Sequence, residues 1–342
     1  MGLELVVEAD GYRFDFSFLE GVDARRIVLE APQGFVRLLP RLVERLRRRF
    51  GVEVVYRLEP SYGLCSVSLA ALEALGPGTV LVHLGHDFYP YPLCWRGRCR
   101  HGLPSGVYVV VGEYLGGDAE ALAEAAVEAL GRGASVALGY SVQHRGLARR
   151  LVGELERRGV RVVYSGPVLG CYYARLLRLR GRVGAFLVLA GGVFHSLGLG
   201  LALGGGERVL RLDPYTGRAE DIGGVVARVL AKRYWAMTRL MEARSVAVIA
   251  GLLPGQNRPG IVEALTRLLE KRGMEYDIVY AERLTRELLD NLNPGSYDAY
   301  IVTSCPRLAI DDLGDYWKPV LTPGEALVVL REGRPTRYIF PW

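Results

Sequence analysis

The sequence predicts an α/β protein of three tandem domains, each of similar βαβ plan with a small parallel sheet, arranged around a central site. Three observations predict it. An apolar strand, a helix of 10–15 residues and a second strand recur three times along the chain, the alternation that builds parallel sheets. The second strands end alike, as Val54-Val55-Tyr56, Val162-Val163-Tyr164 and Ile278-Val279-Tyr280. At 342 residues the chain is too long for one domain of about 100–200 residues, and 50% hydrophobic residues supply core for several.

Taken in order, Arg26–Glu30 is the first strand, residues 40–50 its helix and 52–56 the second strand. Strand 136–140, helix 147–158 and strand 160–164 repeat the plan, and strand 246–251, helix 261–272 and strand 276–280 repeat it again. The continuous apolar runs suit strands buried on both faces. The expected domains are 1–112, 113–215 and 216–342.

Charged residues make up 23% of the chain and the net charge is +6, which excludes disordered, collagen-like and low-complexity classes. That charge is mildly basic and lacks the concentrated footprint of a dedicated nucleic-acid binder. Only Lys232, Lys271 and Lys318 are lysine, the other basic residues are arginine, and Asn and Gln are scarce. Heat adaptation and a GC-rich genome both produce this bias. The arginine runs 45–49 and 145–150 read as solvated helix faces.

Residues 1–10 carry three acids and no basic residue, so no secretory signal is expected there. Residues 183–206 hold no charge over about the length of a bilayer span, but eight glycines weaken any such helix. The stretch reads as a short buried strand, 185–190, a glycine-rich turn, His195 and a second buried segment. The expected compartment is the cytoplasm.

Each repeat places a cysteine just past a strand: Cys65 before a helical stretch 66–74, Cys171 before a helical stretch 172–180, and Cys305 after strand Ala299–Val302. Ligands of open α/β sheets sit beyond the carboxyl ends of the strands, and a helix N-terminus favours a thiolate. Three domains packed around an axis could bring the three thiolates to one centre. A 4Fe–4S cluster with one open iron, a zinc site and three unligated thiols all remain open on these residues.

At these residues the sequence resembles the archaeal diphthamide-synthesis iron–sulfur enzymes, the 2-(3-amino-3-carboxypropyl)histidine synthase family. The resemblance rests on ordered motifs over nearly the whole chain. The first is Tyr62-Gly63-Leu64-Cys65 with Val82-His83-Leu84-Gly85-His86. The second is Leu169-Gly170-Cys171 with Gly191-Gly192-Val193-Phe194-His195. The third is Pro254-Gly255-Gln256, then Ser304-Cys305-Pro306-Arg307 with Asp311-Asp312 and Lys318-Pro319-Val320-Leu321-Thr322-Pro323. Ser66 and Asp87 depart from the family pattern, which has an aspartate and a small polar residue there.

The resemblance implies one cysteine from each domain, Cys65, Cys171 and Cys305, on a 4Fe–4S cluster, with S-adenosylmethionine as co-substrate at the open iron. It implies cleavage of the Cγ–S bond and transfer of the 3-amino-3-carboxypropyl group to a histidine of translation elongation factor 2, the first step of diphthamide biosynthesis. The compact CxxxCxxC motif of ordinary radical enzymes of this cofactor is absent. A homodimer and an electron donor are implied as well. A non-catalytic partner subunit of the same pathway and a basic RNA- or ribosome-binding protein are the alternative readings.

The cofactor-binding candidates are His83, Gly85, His86, Gly191, Gly192, His195, Gln256, Arg307 and Asp311. The histidines are either satisfied strand-end groups or pocket lining. Gly191-Gly192 either lets the backbone approach the adenosyl group or makes a tight turn. Gln256 is a candidate pocket donor. Arg307 could clamp a carboxylate bidentately and Asp311 accept from an amine, or the two form a structural pair. No catalytic nucleophile or base is assigned. Cys94 and Cys99, with a four-residue spacer between them in a Pro-, Arg- and Gly-rich loop, are a disulfide, two free thiols or a metal site with His101.

Overall fold

The computed structural model describes residues 5–292 and 295–342, which form two compact units. The first comprises the N-terminal residues through Ala119, with Ser141–Arg150 and Leu253–Gly255. The remainder, from Glu120 onward, forms the second.

In the first unit, strands β1 (Val6–Ala9) and β2 (Tyr12–Asp15) form an antiparallel hairpin. Strands β3 (Arg26–Glu30), β4 (Glu53–Tyr56) and β5 (Thr79–Leu84) follow, then the short hairpin β6 (Leu93–Trp95) and β7 (Arg98–Arg100). Strands β8 (Val107–Val110) and β9 (Glu113–Tyr114) complete it. The order β4-β3-β5-β8 is parallel throughout, and β9 joins the hairpin as β1-β2-β9. Helix Leu39–Phe50 buries Leu39, Leu42, Val43 and Leu46, the spacing of one helix face, in a core with Ile27, Leu29, Val82, Phe14 and Phe16.

In the second unit, β10 (Ser135–Tyr140), β11 (Arg161–Pro167), β12 (Ala185–Leu189), β13 (Val209–Leu212) and β14 (Ala219–Asp221) form one sheet in the order β11-β10-β12-β13-β14, antiparallel only at β14. Strands β15 (Ser245–Gly251), β16 (Glu275–Ala281), β17 (Ala299–Val302) and β18 (Val320–Leu321) form a fully parallel sheet, β16-β15-β17-β18. Helices Gly223–Glu242, Pro259–Lys271 and Pro323–Glu332 pack with this sheet.

The mixed α/β class with several small parallel sheets is the one the repeats predict. Three local expectations change. The strands that carry the Val-Tyr pairs (β4, β11 and β16) are partly exposed sheet edges, not strands buried on both faces. Cys65 lies in the middle of a single 3-10 turn, Leu64–Ser66, and the α-helix begins at Leu69. After Cys171 only one helical turn forms, Ala174–Leu177. The uncharged stretch resolves into β12 and helix Phe194–Ala202. No helix among the described residues is long and apolar enough to cross a membrane.

Candidate functional site

In the first unit, Glu30 and His83 are register partners at the carboxyl ends of β3 and β5. Both are fully buried, and His83 Nδ1 lies 2.7 Å from Glu30 Oε1. The other carboxylate oxygen accepts the Ser68 N–H at 3.1 Å and faces the Arg57 guanidinium at 3.6 Å. His83 Nε2 in turn lies 3.0 Å from Nδ1 of the half-buried His86. Gly85 sits against Pro32 and Phe35, and its carbonyl accepts from Gln143. Asp87 pairs with Arg145, whose side chain stays partly exposed, so this position of the second arginine run faces solvent while reaching a carboxylate.

The Cys65 turn is fastened from several sides. Ser66 Oγ accepts the Tyr62 N–H at 2.8 Å and donates to the Gly63 carbonyl at 2.9 Å, closing the turn. Gly63 has φ +149°, a conformation side chains avoid, and a Cβ there would stand 3.5 Å from His86 Nε2. Gly255 donates its N–H to the Cys65 carbonyl at 2.8 Å, and a Cβ on it would lie 2.5 Å from Cys65 Cα. Tyr89 donates its hydroxyl to the Gly255 carbonyl, and the Cys94 N–H reaches the Pro254 carbonyl at 2.7 Å. Cys94 and Cys99 face each other across β6 and β7 and form a disulfide.

In the second unit, Leu169 and Tyr172 exchange backbone hydrogen bonds of 3.3 and 3.0 Å, closing the turn that presents Cys171. The Phe194 ring occupies the space a Cβ on Gly170 would need, at 2.1 Å. Arg307, two residues past Cys305, lies over the same ring at 5.7 Å. Phe194 therefore joins the Cys171 turn to the neighbourhood of Cys305. His195 follows in the first turn of the helix, and burial with the nearby Arg307 charge pushes its pKa down to about 4, so it is neutral. Gly191 is covered by Tyr215 and its carbonyl accepts from Arg211 at 2.9 Å, while Gly192 is exposed with open space around it.

Leu308 donates to the Cys305 carbonyl at 3.1 Å as the chain enters a π-helical turn, Leu308–Asp312. The buried Arg233 holds that turn by a 2.8 Å bond to the Ala309 carbonyl while its other nitrogens grip Glu325 at 2.6 and 2.7 Å. Arg307 Nε donates to Asp311 at 3.1 Å, and burial pushes the neighbouring Asp312 carboxyl up. Gln256 is buried, and a Cβ on Gly251 would stand 2.6 Å from the Ser304 Cβ and 2.9 Å from the Gln256 carbonyl, so Gln256 lies beside the Cys305 segment.

Cys65, Cys171 and Cys305 are half-buried and outside any disulfide. With two of five cysteines in a disulfide, the remaining donor set is three thiols, one past a strand of each parallel sheet, which fits a cluster with one open iron. Among the described residues, no three His, Cys, Asp or Glu side chains gather as ligands for a metal ion. The structure adds residues that the motifs left out. Glu30 is one, an acid ending an apolar strand; Arg233 and Glu325 are others, whose partnership across 92 positions has no local signal.

These features define an α/β protein of several parallel sheets carrying one thiol per sheet. The chain belongs to the family described as "Putative diphthamide synthesis protein", whose model matches residues 31–339. It is similar to 2-(3-amino-3-carboxypropyl)histidine synthase of Pyrococcus horikoshii, at 29% identity over 91% of this chain and 87% of that one. It is also similar to subunit 1 of the human synthase, at 27% identity over 92% of this chain and 70% of the human one. Among solved structures, Dph2 from Pyrococcus horikoshii with a 4Fe–4S cluster matches with TM-score 0.77 and 28% identity, over 95% of this chain and 91% of that chain.

Proposed function

We propose that this chain carries out the first step of diphthamide synthesis: it cleaves S-adenosylmethionine at the Cγ–S bond and transfers the 3-amino-3-carboxypropyl group to a histidine of translation elongation factor 2. The observation that supports it most is the match along 91% of the chain to a synthase named for that product, combined with three thiols past the strands of three parallel sheets. In this reading Cys65, Cys171 and Cys305 hold a 4Fe–4S cluster, and the three domains are 1–112, 113–215 and 216–342. When bound, the cluster supplies the electron and an open coordination position.

The chain's own residues bind and orient. Arg307, braced by Asp311 and lying over Phe194, offers its guanidinium to the carboxylate of the amino-acid moiety. Neutral His195 gives a hydrogen-bonding group beside it without adding a second positive charge. Gln256 and the backbone at Gly191 and Gly192 complete the co-substrate's surroundings, with Gly85, His83 and His86 on the side of Cys65. Choosing one of three sulfonium bonds is a matter of such orientation. The reading includes a homodimer, an electron donor and a cytoplasmic setting.

Label transfer tests it. Reduced protein incubated with S-adenosylmethionine and elongation factor 2 should move carboxyl-carbon label, and no S-methyl label, to the factor, releasing 5′-deoxy-5′-methylthioadenosine. Release of 5′-deoxyadenosine, or transfer of methyl label, would refute it.

A further inference from the structure

Helix Gly223–Glu242 presents to solvent a face that neither the fold nor the proposed chemistry uses. Its inward side is Val226, Arg233, Ala236, Met237 and Leu240, all buried. On the opposite side stand Arg228, Lys232, Trp235 and Arg239, all exposed. At about 100° per residue these four fall within an arc of about 60°, and they span about 16 Å of the helix axis. No acidic residue occurs between Asp221 and Glu242. Asp221 is taken up by Arg208, and Glu242 pairs with Arg239 at the last turn. Arg228 and Lys232 enter no ion pair among the described residues.

Trp235 is 52% exposed, and its neighbours one turn back are Lys232 and Ala231, the latter a single methyl group. One exposed ring, or two exposed cations, is ordinary on a protein surface. A large aromatic ring with cations before and after it on one helix stripe, and no acid among them, is a more specific arrangement. It is the combination that binds single-stranded nucleic acid, with phosphates on the cations and a base on the ring. The net charge of +6 is small for the whole chain, but this helix gathers three cations on one side.

We propose that this face of helix Gly223–Glu242 binds a single-stranded polynucleotide, with phosphates on Arg228, Lys232 and Arg239 and a base stacked on Trp235. The cations select a polyanion, and the indole selects a polyanion that carries bases over an acidic peptide. None of the four residues belongs to the candidate site, and the inference does not depend on the proposed function.

Fluorescence anisotropy of a labelled oligouridylate of about twelve nucleotides, titrated with the cluster-loaded full chain, tests it. Three phosphate contacts give a slope of log affinity against log salt of about −2, so affinity should fall about 15-fold between about 50 and 200 mM salt. Arg228→Gln with Lys232→Gln leaves one contact and should bring the slope to about −0.7. Trp235→Leu should weaken binding at least about fivefold with the slope kept, and Trp235→Phe should recover part of that loss. The replaced side chains are exposed, so the melting midpoint of each variant should match that of the unaltered chain. A poly-aspartate peptide of equal charge should fail to displace the oligonucleotide at equal concentration. Absence of saturable binding at about 50 mM salt, an unchanged slope in the double variant, or unchanged affinity in Trp235→Leu would overturn the inference. Displacement by poly-aspartate at equal concentration would overturn it as well, and would mark an acidic protein surface as the partner.

Discussion

The Cys65 and Cys305 turns reach the same end by different means. Around Cys65 the fastening is mostly backbone: Ser66 closes its own turn, and Gly255, distant in sequence, docks its peptide against the cysteine carbonyl with no room for a Cβ. Around Cys305 the fastening is a buried charge pair, Arg233–Glu325, that holds the following π-helical turn through a carbonyl, with exposed charges on the outer side. The first turn depends on shape and the second on charge compensation, so the two should fail differently.

The largest expected effect is on the charged side. Arg233→Ala leaves Glu325 buried and unpaired, and breaking such a pair costs about 3–5 kcal/mol. A thermal melt should show a clear drop in midpoint, and a midpoint equal to that of the unaltered chain would remove the charge pair from the account. On the shape side, Gly255→Ala must displace Cys65 or Tyr89, an overpacking worth about 1–3 kcal/mol. Iron bound per chain should fall with it. Gly192→Ala, with nothing within 4 Å, is the matched control and should melt like the unaltered chain.

A third test uses pH. Burial first, and Arg307 next, lower the folded His195 pKa from 6.5 to about 4. The unfolded chain therefore takes up the proton more readily between those values, and stability falls as pH drops from about 6.5 to about 4. Replacing His195 by Asn should flatten that part of a plot of melting midpoint against pH; parallel curves for both proteins would contradict the assignment. The smallest effect belongs to the exposed Arg307–Asp311 pair, about half exposed on each side. Asp311→Asn should cost less than about 1 kcal/mol, so any larger loss of turnover reports on substrate and not on folding.

Much of this was legible in the residues because period and spacing are local signals. Arg26–Glu30 and Ala299–Val302 appear with the predicted bounds, and the helix expected over 261–272 runs Pro259–Lys271. The uncharged stretch was decoded by its glycines, which favour a strand and turn over a membrane helix. The edge positions of β4, β11 and β16 were not legible, since an apolar ending says nothing about which neighbour a strand lacks. Nor were the short turns at Cys65 and Cys171, where tertiary bonds to Gly255 and Phe194 override helix propensity. In the candidate site, the histidines were found by motif, but Glu30 pairs with His83 over 53 positions and only the sheet register joins them.

The central claim is that one thiol from each repeat builds the metal site while the two disulfide cysteines do not. Iron and sulfide content of anaerobically reconstituted protein tests it most directly. The unaltered chain should bind about four irons. Cys65→Ala, Cys171→Ala and Cys305→Ala should each lose most of that iron, and Cys94→Ser with Cys99→Ser should keep it. Full iron in any of the first three, or its loss from the Cys94→Ser/Cys99→Ser protein, would contradict the account.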